Sequence, residues 1–435
     1  MPVPASSWYS ACNCATATAA ASVVVRAEYS NPEGTSSSDD NSTVIMSRST
    51  TGASSSQLHS DASLQTLPSV PSLQKLSLSL SINAAKPKVS HLSLISSLRP
   101  DPTSQVTSIA FFSSSSTAAP TLLYSASANQ IRAWDLPTLT QIDSFNFSGD
   151  GSVKSLVFSD DGRIFTAHQD SKIRVWDFRR RHRQLASLPT FNDRLLRSLL
   201  PRNYVSVRRH RKRLWVEHAD AVAALAVSGS LLYSVSWDKT LKIWRTSDLR
   251  CLQSVTAHED AVNAVAVAAD GTVYTGSADT RIRVWGREEG EKTRYALRAT
   301  LERHRSAVNA LALGGDGAVL YSGACDRSIL VWEREDSAGH MALAGALRGH
   351  GGAILCLITA AENFLFSGSA DRTVRIWGRG IHGGYACLGK MEGHARPVKS
   401  LGAFYDGSES GYTVCSGSLD GEIRVWRVSV SPRGK

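Results

Sequence analysis

From about residue 91 onward, apolar and polar positions alternate along the chain. In Ala261-Val262-Asn263-Ala264-Val265-Ala266-Val267 every second side chain can face one side, and Gly, Asp and Ser punctuate the gaps between such runs. Period two with β-branched residues predicts short strands joined by tight turns. The runs recur in a fixed frame, clearest in Ser367-Gly368-Ser369-Ala370-Asp371-Arg372-Thr373-Val374-Arg375-Ile376-Trp377. The frame ends at Trp134, Trp176, Trp244, Trp285, Trp332, Trp377 and Trp426, with spacings of 42, 68, 41, 47, 45 and 49 residues. All but one of these spacings fit a unit of four strands. Seven such units predict an all-β chain folded as one seven-bladed β-propeller over residues 91–430, followed by a tail at 431–435.

The frame carries polar residues as regularly as apolar ones. An Asp stands six residues before Trp in six units (Asp170, Asp238, Asp279, Asp326, Asp371, Asp420), and a Ser or Thr stands ten before it (Thr166, Ser234, Thr275, Ser322, Ser367, Ser416). A His opens five units: His218, His258, His304, His350 and His394. The first unit is one residue shorter, with Asn129 in its turn. The first two units have no opening His, so their polar networks are expected to be incomplete and their blades looser. The chain stops soon after the third strand of the seventh unit. The apolar rhythm of 92–98 is that of a missing fourth strand, which would staple the two ends and remove open sheet edges.

Residues 1–90 break the pattern. Twenty-two are Ser and the charges balance at five each, a composition that does not offset its ordering entropy, so the expectation is a disordered arm. The first 27 residues hold no acid and one base, Arg26, which overlaps with an organelle transit peptide, chloroplast targeting being one outcome. Leu64, Leu67, Val70, Leu73 and Leu76 recur every third residue among Pro68 and Pro71, as in a polyproline-II docking peptide with one apolar edge. Leu76-Ser77-Leu78-Ser79-Leu80 alternates strictly. It resembles a plant corepressor-recruiting repression motif, and reads equally as a Leu/Ser-rich linker or an added edge strand.

Charge matters in one place. Residues 178–214 hold 12 Lys and Arg against a single acid, Asp193, so one segment carries the whole excess of +10. It coincides with the 68-residue spacing, which implies an insert over 189–217 between blades 2 and 3. In it Leu195, Leu196, Leu199 and Leu200 predict a short helix ended by Pro201. Tyr204-Val205-Ser206-Val207 predicts a strand returning through Leu214-Trp215-Val216, with Arg208, Arg209, His210, Arg211, Lys212 and Arg213 near its tip. Three readings of that tip stand: a solvated hairpin, a nuclear-import signal, or a contact for an acidic partner or phosphate. Aromatic interleaving of the kind that binds single-stranded nucleic acid is missing.

Ser/Thr, His and Asp are also the ingredients of a nucleophilic triad, but an enzyme needs one set and here the set recurs in blade after blade. No G-x-S-x-G elbow, phosphate loop or CxxC pair accompanies it, and the seven Cys suit a reducing compartment. The reading is a non-enzyme with no cofactor and no metal. No run approaches the ~18 apolar residues of a membrane helix.

These residues resemble the WD-repeat family. The resemblance implies a buried network in each blade. Its members are His218, Ser234, Asp238 and Trp244; His258, Thr275, Asp279 and Trp285; His304, Ser322, Asp326 and Trp332; His350, Ser367, Asp371 and Trp377; His394, Ser416, Asp420 and Trp426. It also implies that partners bind on the face carrying the His turns, where the insert is expected. There Gln169, Trp237, Ala278, Cys325, Ala370 and Leu419 flank the turn Asp, and Trp237 is the foremost candidate anchor. Leu200-Pro201-Arg202-Asn203-Tyr204-Val205, Leu214-Trp215-Val216-Glu217-His218 and Ser236-Trp237-Asp238 are similar to plant JINGUBANG-type WD-repeat proteins. That similarity implies a regulator in cytoplasm and nucleus, a transcription-factor partner and restraint of pollen germination; the chain is expected to be a monomer. Ile173-Arg174-Val175-Trp176-Asp177-Phe178-Arg179 resembles a box for docking to a cullin–RING ligase adaptor, with Trp176, Asp177 and Arg179 decisive and His168 a departure. The expected work is protein scaffolding through Trp237, Arg208, Arg209, Arg211, Lys212 and Arg213. A ligase substrate receptor is the alternative. Nucleic-acid contact through the insert is the third reading, with steep salt dependence as its mark.

Overall fold

The alternating runs form strands whose inward side chains are out of solvent, and the strands close into a seven-bladed β-propeller. The computed structural model describes residues 70–74, 89–100 and most of 104–430; outside it lie 1–69, 75–88, 101–103, 431–435 and short connecting stretches such as 113–120, 179–181, 209–210 and 406–410. Among the described residues are seven four-stranded antiparallel sheets and one two-stranded hairpin. Blade 1 takes Val106–Phe112, Leu122–Ser127, Gln130–Asp135 and Thr140–Asn146, and blade 3 takes Val222–Ser228, Leu231–Ser236, Thr240–Arg245 and Cys251–Thr256. The seventh sheet is discontinuous in sequence: Val89–Leu98 pairs antiparallel with Ile423–Val430, from Val89 opposite Val430 to Leu98 opposite Ile423.

Neighbouring blades are joined at three depths. Near the channel, side chains of the innermost strands bond the next blade's backbone: Asn263 Nδ2 donates to Val308 O at 3.1 Å and Asn309 Nδ2 to Ile354 O at 2.9 Å. At mid-depth, glycines admit the next blade. A Cβ on Gly417 would lie 2.6 Å from Val106 Cγ1, so the contact that closes blade 7 onto blade 1 needs glycine. Further out, hydroxyl and imidazole pairs pin blade to blade: Tyr233 with Tyr295 at 2.7 Å, Tyr321 with Tyr385 at 2.9 Å, and Tyr124 with His182 Nε2 at 2.9 Å. At the inner and outer depths the polar groups named are buried as donor–acceptor pairs, as a desolvated donor requires.

Most of the arm expected to be disordered lies outside the described residues. Residues 70–74 and the strand start at Val89 and Ser90 depart from that expectation, since both are bonded to blades. Among the described residues no helix is long and apolar enough to cross a membrane.

Candidate functional site

Each blade from 3 to 7 holds one buried relay. In blade 3 the Trp244 indole N–H donates to Ser234 Oγ at 2.9 Å, Ser234 meets His218 Nε2 at 2.8 Å, and His218 Nδ1 meets Asp238 Oδ2 at 3.1 Å. The same chain runs through Thr275, His258 and Asp279 in blade 4, and through Ser322, His304 and Asp326 in blade 5. It recurs through Ser367, His350 and Asp371 in blade 6, and through Ser416, His394 and Asp420 in blade 7. Trp285, Trp332, Trp377 and Trp426 each donate to the Ser or Thr of their own blade at 2.8–3.0 Å. A hydroxyl that accepts from Trp has its own proton left for Nε2. The imidazole is then neutral, with its proton on Nδ1 facing the carboxylate.

The electrostatics agree with that assignment. Burial pushes the His218 imidazole down, against the pull of the Asp238 charge. Burial alone would raise Asp238, but His218, the Thr240 hydroxyl and the Ala219 amide together hold it well below the usual carboxylate range. Asp279 is held at about 2 by the same kinds of contact, led by His258 once its own burial is offset. These are the distances of a nucleophilic triad, yet Ser234 is fully buried and its oxygen is committed to the indole. The arrangement fixes a turn to a strand and offers no attacking atom. His394, Asp420 and Glu422 bring three ligand-type atoms within 4.8 Å. Those atoms are engaged too, His394 with Asp420, and Glu422 with Arg424 at 3.3 Å and the Ser97 hydroxyl.

Blade 2 has no opening His, and its relay is incomplete as expected but not without an imidazole: Trp176 Nε1 donates to Thr166 Oγ1 at 2.9 Å, and Thr166 meets His168 Nε2 at 2.7 Å. His168 comes from the blade's own second strand, and its Nδ1 faces Gly151 O at 3.3 Å. The turn carboxylate of Asp170 pairs with Arg174 instead, at 2.7 Å. Burial and the Arg174 charge push His168 down to about 3. Phe147, near where an opening His would stand, packs edge-on against the ring at 4.3 Å. Among the described residues of blade 1, the relay is represented by the bond from Trp134 to Ser125, at 2.9 Å.

The insert folds from its local signals. Thr190 caps the helix Phe191–Ser198 by accepting from the Asp193 amide. A turn of 3-10 helix at Pro201–Asn203 leads into a hairpin of Tyr204–Arg208 and Arg211–Leu214. The return strand, Arg211–Leu214, therefore starts three residues earlier than the expected 214–216, and Val216 is buried behind it. The helix docks by its polar face. Asp193 is buried and accepts from Arg197 Nε at 2.8 Å, the Arg197 guanidinium lies 4.3 Å from the Trp215 ring, and Arg194 pairs with Glu217 at 2.8 Å. Lys242, buried in blade 3, holds the loop by donating to Trp215 O at 2.6 Å. The apolar stripe faces away: Phe191 is 76% exposed, Leu195 51% and Leu199 75%, with Leu196, Leu200 and Val205 also exposed. Surface helices ordinarily bury that stripe, so this one is inverted.

The insert was expected around the channel mouth, and only its end is there. Arg213 donates to His218 O at 2.7 Å and reaches Ser171 Oγ at 3.4 Å, beside the turns of blades 2 and 3. The helix lies against blade 3 near Cys251, Asp248 and Arg250, at the opposite end of that blade from Asp238. The long outer-to-inner connection runs down the flank before returning. Lys212 is exposed; Arg209 lies outside the described residues, as do the side chains of Arg208 and Arg211. Arg179 also lies outside them, and Trp176 of the adaptor-like box is buried in its relay. Trp237 is half-buried beneath Lys154 Nζ, 5.5 Å from its ring, and its indole nitrogen has no hydrogen-bond partner. Trp237, Ala278, Cys325, Ala370 and Leu419 are partly exposed, Gln169 more fully. Sequence reasoning missed two residues: His168, signalled only by lying two after Thr166, and Phe191, the outermost residue of the apolar stripe.

Against known proteins, the family model described as WD domain, G-beta repeat matches residues 140–177, 211–245, 249–286, 296–333, 342–378 and 385–427. Among curated relatives, "Putative E3 ubiquitin-protein ligase LIN-1" of Lotus japonicus is 29% identical over 161 residues, 37% of this chain and 9% of that protein. Its namesake in Medicago truncatula is 25% identical over 173 residues, 39% of this chain and 10% of that one. "Ribosome biogenesis protein WDR12 homolog" of Trichoplax adhaerens is 26% identical over 167 residues, 32% of this chain and 38% of that protein. The chain thus spans about a tenth of the length of the first two relatives and under two-fifths of the third.

Proposed function

We propose, from the premise that the chain belongs to the WD domain, G-beta repeat family, that its insert reads a regulatory protein partner. Protein–protein interaction is the work of such a propeller. The finer reading is a plant regulator that holds a transcription factor and acts in development, pollen germination included. One observation carries it: an inverted helix leaves Phe191, Leu195 and Leu199 uncovered beside a basic hairpin. Contiguous exposed apolar surface marks an interaction site, and the adjacent +charge selects an acidic segment bearing apolar anchors. Lys212 and Arg213, with Arg208, Arg209 and Arg211, supply that charge. Trp237 offers a second anchor at the channel mouth.

The test is affinity capture from native plant extract with three full-length proteins. Wild type is expected to retain a transcription regulator. Leu195→Asp with Leu199→Asp should lower recovery at least ~10-fold, roughly the loss of one apolar anchor. Changing Arg208, Arg209, Arg211, Lys212 and Arg213 to Ser should do the same, with the two-Asp protein melting like wild type and the five-Ser protein lower only by the lost bond from Arg213 to His218 O. Identical partners on all three would remove the insert as the reader. The same basic run is proposed to direct nuclear import from the cytoplasm. A fluorescent fusion of the five-Ser variant should then stay cytoplasmic, and undiminished nuclear signal would sink that part.

A second reading has its own support. The Trp176-Asp177-Phe178-Arg179 box is accompanied by similarity to proteins named as ubiquitin ligases. A substrate receptor would lose its cullin adaptor on Arg179→Glu while keeping its other partners. His168, which departs from the box, serves the blade's own relay.

A further inference from the structure

The outer strand of a propeller blade has one unpaired edge, which is a template for an added strand. In blade 5 that edge, Met341–Leu347, is occupied. Residues 70–74 run parallel to it: Leu73 N donates to Ala346 O at 3.0 Å, and Ala346 N donates to Pro71 O at 3.0 Å. The segment then crosses to blade 6, where Tyr385 N reaches Leu73 O at 3.4 Å. Arg348 holds it from below, Nη2 donating to Val70 O at 3.0 Å and its amide to Gln74 Oε1 at 3.2 Å.

The blade is shaped for this segment. A Cβ on Gly345 would lie 2.6 Å from Leu73 Cγ, 3.0 Å from Leu73 Cδ2 and 3.0 Å from Pro71 O, so its three nearest neighbours all belong to the segment. Gly345 also has φ +157°, at the edge of the region that favours glycine. It faces Val331; the residue at the same place is Ala299 in blade 4 and Gly389 in blade 6, and of the two glycines only Gly345 would put a Cβ into the segment. Leu73 packs on the apolar cluster shared by blades 5 and 6, and Val70 on that of blades 4 and 5. Recognition thus needs an extended backbone, an apolar residue, a proline and, two residues after it, a leucine. Val70-Pro71-Ser72-Leu73 is that unit, and Leu67-Pro68-Ser69-Val70 precedes it with the same spacing but Val in place of the leucine.

We propose that the flank cleft between blades 5 and 6 is a peptide-binding site selective for an extended apolar-Pro-x-Leu strip, and that residues 70–74 are its tethered occupant. Its partner is a protein segment of the same chemistry, which enters by displacing them. Fourteen residues separate Gln74 from Val89, a tether that reaches at most about 50 Å. A short tether holds its ligand at millimolar effective concentration, on the order of 10^-3 M, so even a weak strip fills the cleft until a stronger one arrives.

Fluorescence polarisation tests this with a fluorescein-labelled peptide of residues 66–78 and full-length protein. Leu73→Asp should bind the peptide at least ~10-fold tighter than wild type, because the tethered competitor is gone. Adding Gly345→Val to Leu73→Asp should remove that binding; Gly345→Ala makes the same test if the valine variant does not fold. In hydrogen exchange the Ala346 amide should be protected in wild type and exchange at least ~10-fold faster in Leu73→Asp. Equal peptide binding by wild type and Leu73→Asp, no loss on filling the Gly345 notch, or an unchanged Ala346 amide would each overturn the proposal.

Discussion

Replacing Asp238 by Ala is expected to destabilise the propeller by about 3 kcal/mol, because it orphans several buried groups at once. Asp238 Oδ2 accepts from His218 Nδ1 and from the Ala219 amide at 2.7 Å, while Oδ1 accepts from the Thr240 amide at 2.9 Å. No solvent reaches in to replace them, since the Asp238 side chain is 7% exposed and that of His218 1%. Asp238→Asn keeps an acceptor and should cost less than half as much. Two controls bracket the result. Asp160 is exposed, and Asn129 occupies the turn of the one blade without an imidazole; Ala at either should shift stability by under ~1 kcal/mol. Chemical denaturation gives the comparison, with exchange of blade 3 amides locating the damage. A shift for Asp238→Ala no larger than for Asp160→Ala would mean that the relay is ornamental to stability.

The seven blades are legible in the sequence because each combines two independent periodicities. Alternation marks the strands, and Trp, Asp and Ser/Thr at fixed distances mark the turn that joins them. Both arise from local geometry, so they survive without knowledge of neighbours. In blade 2 the imidazole is illegible for the same reason, although the missing link to the carboxylate is not. The relay requires an imidazole at a place in space, and His168 supplies it from the second strand although the repeat frame supplies it from the loop before the first. Position in a frame is a proxy for position in space, and the proxy fails where another backbone site can reach the same oxygen.

The insert and the arm fail differently. Leu195, Leu196, Leu199 and Leu200 were legible as an apolar helix, but periodicity says which residues share a face and not which face docks. The decision rests on Asp193 and Arg197, which find Trp215 and blade 3 and leave the leucines outward. Likewise the proline-leucine strip was legible as a docking peptide. What it docks against lies more than 270 residues away at Ala346, and the glycine that admits it, Gly345, cannot be told in the sequence from Gly389 at the same place in the next blade.

Acidification is expected to remove stability in two stages, and the sign follows from the relays. His168, His218 and His394 are all held below the ordinary imidazole range, His168 at about 3, by burial first of all. A group depressed on folding binds its proton more tightly in the unfolded chain, so each of these imidazoles favours the native state above about pH 6.5 and loses that contribution as pH falls. The slope approaches about 1.4 kcal/mol per pH unit for each imidazole that protonates only on unfolding. A second loss begins below about pH 4, where Asp170, Asp238, Asp279, Asp326, Asp371 and Asp420 act with the same sign. Both stages run downward with pH, so no acid-side optimum should appear between pH 7 and pH 3. Denaturant midpoints measured at constant ionic strength from pH 8 to pH 4 should hold level to about pH 7 and then fall. His168→Gln, which removes one titrating imidazole, should start from a lower plateau and fall less steeply between pH 6.5 and pH 4. A wild-type midpoint that stays flat across that interval would mean the imidazoles carry a proton in the native state, and the relay would have to be redrawn with Nε2 as a donor.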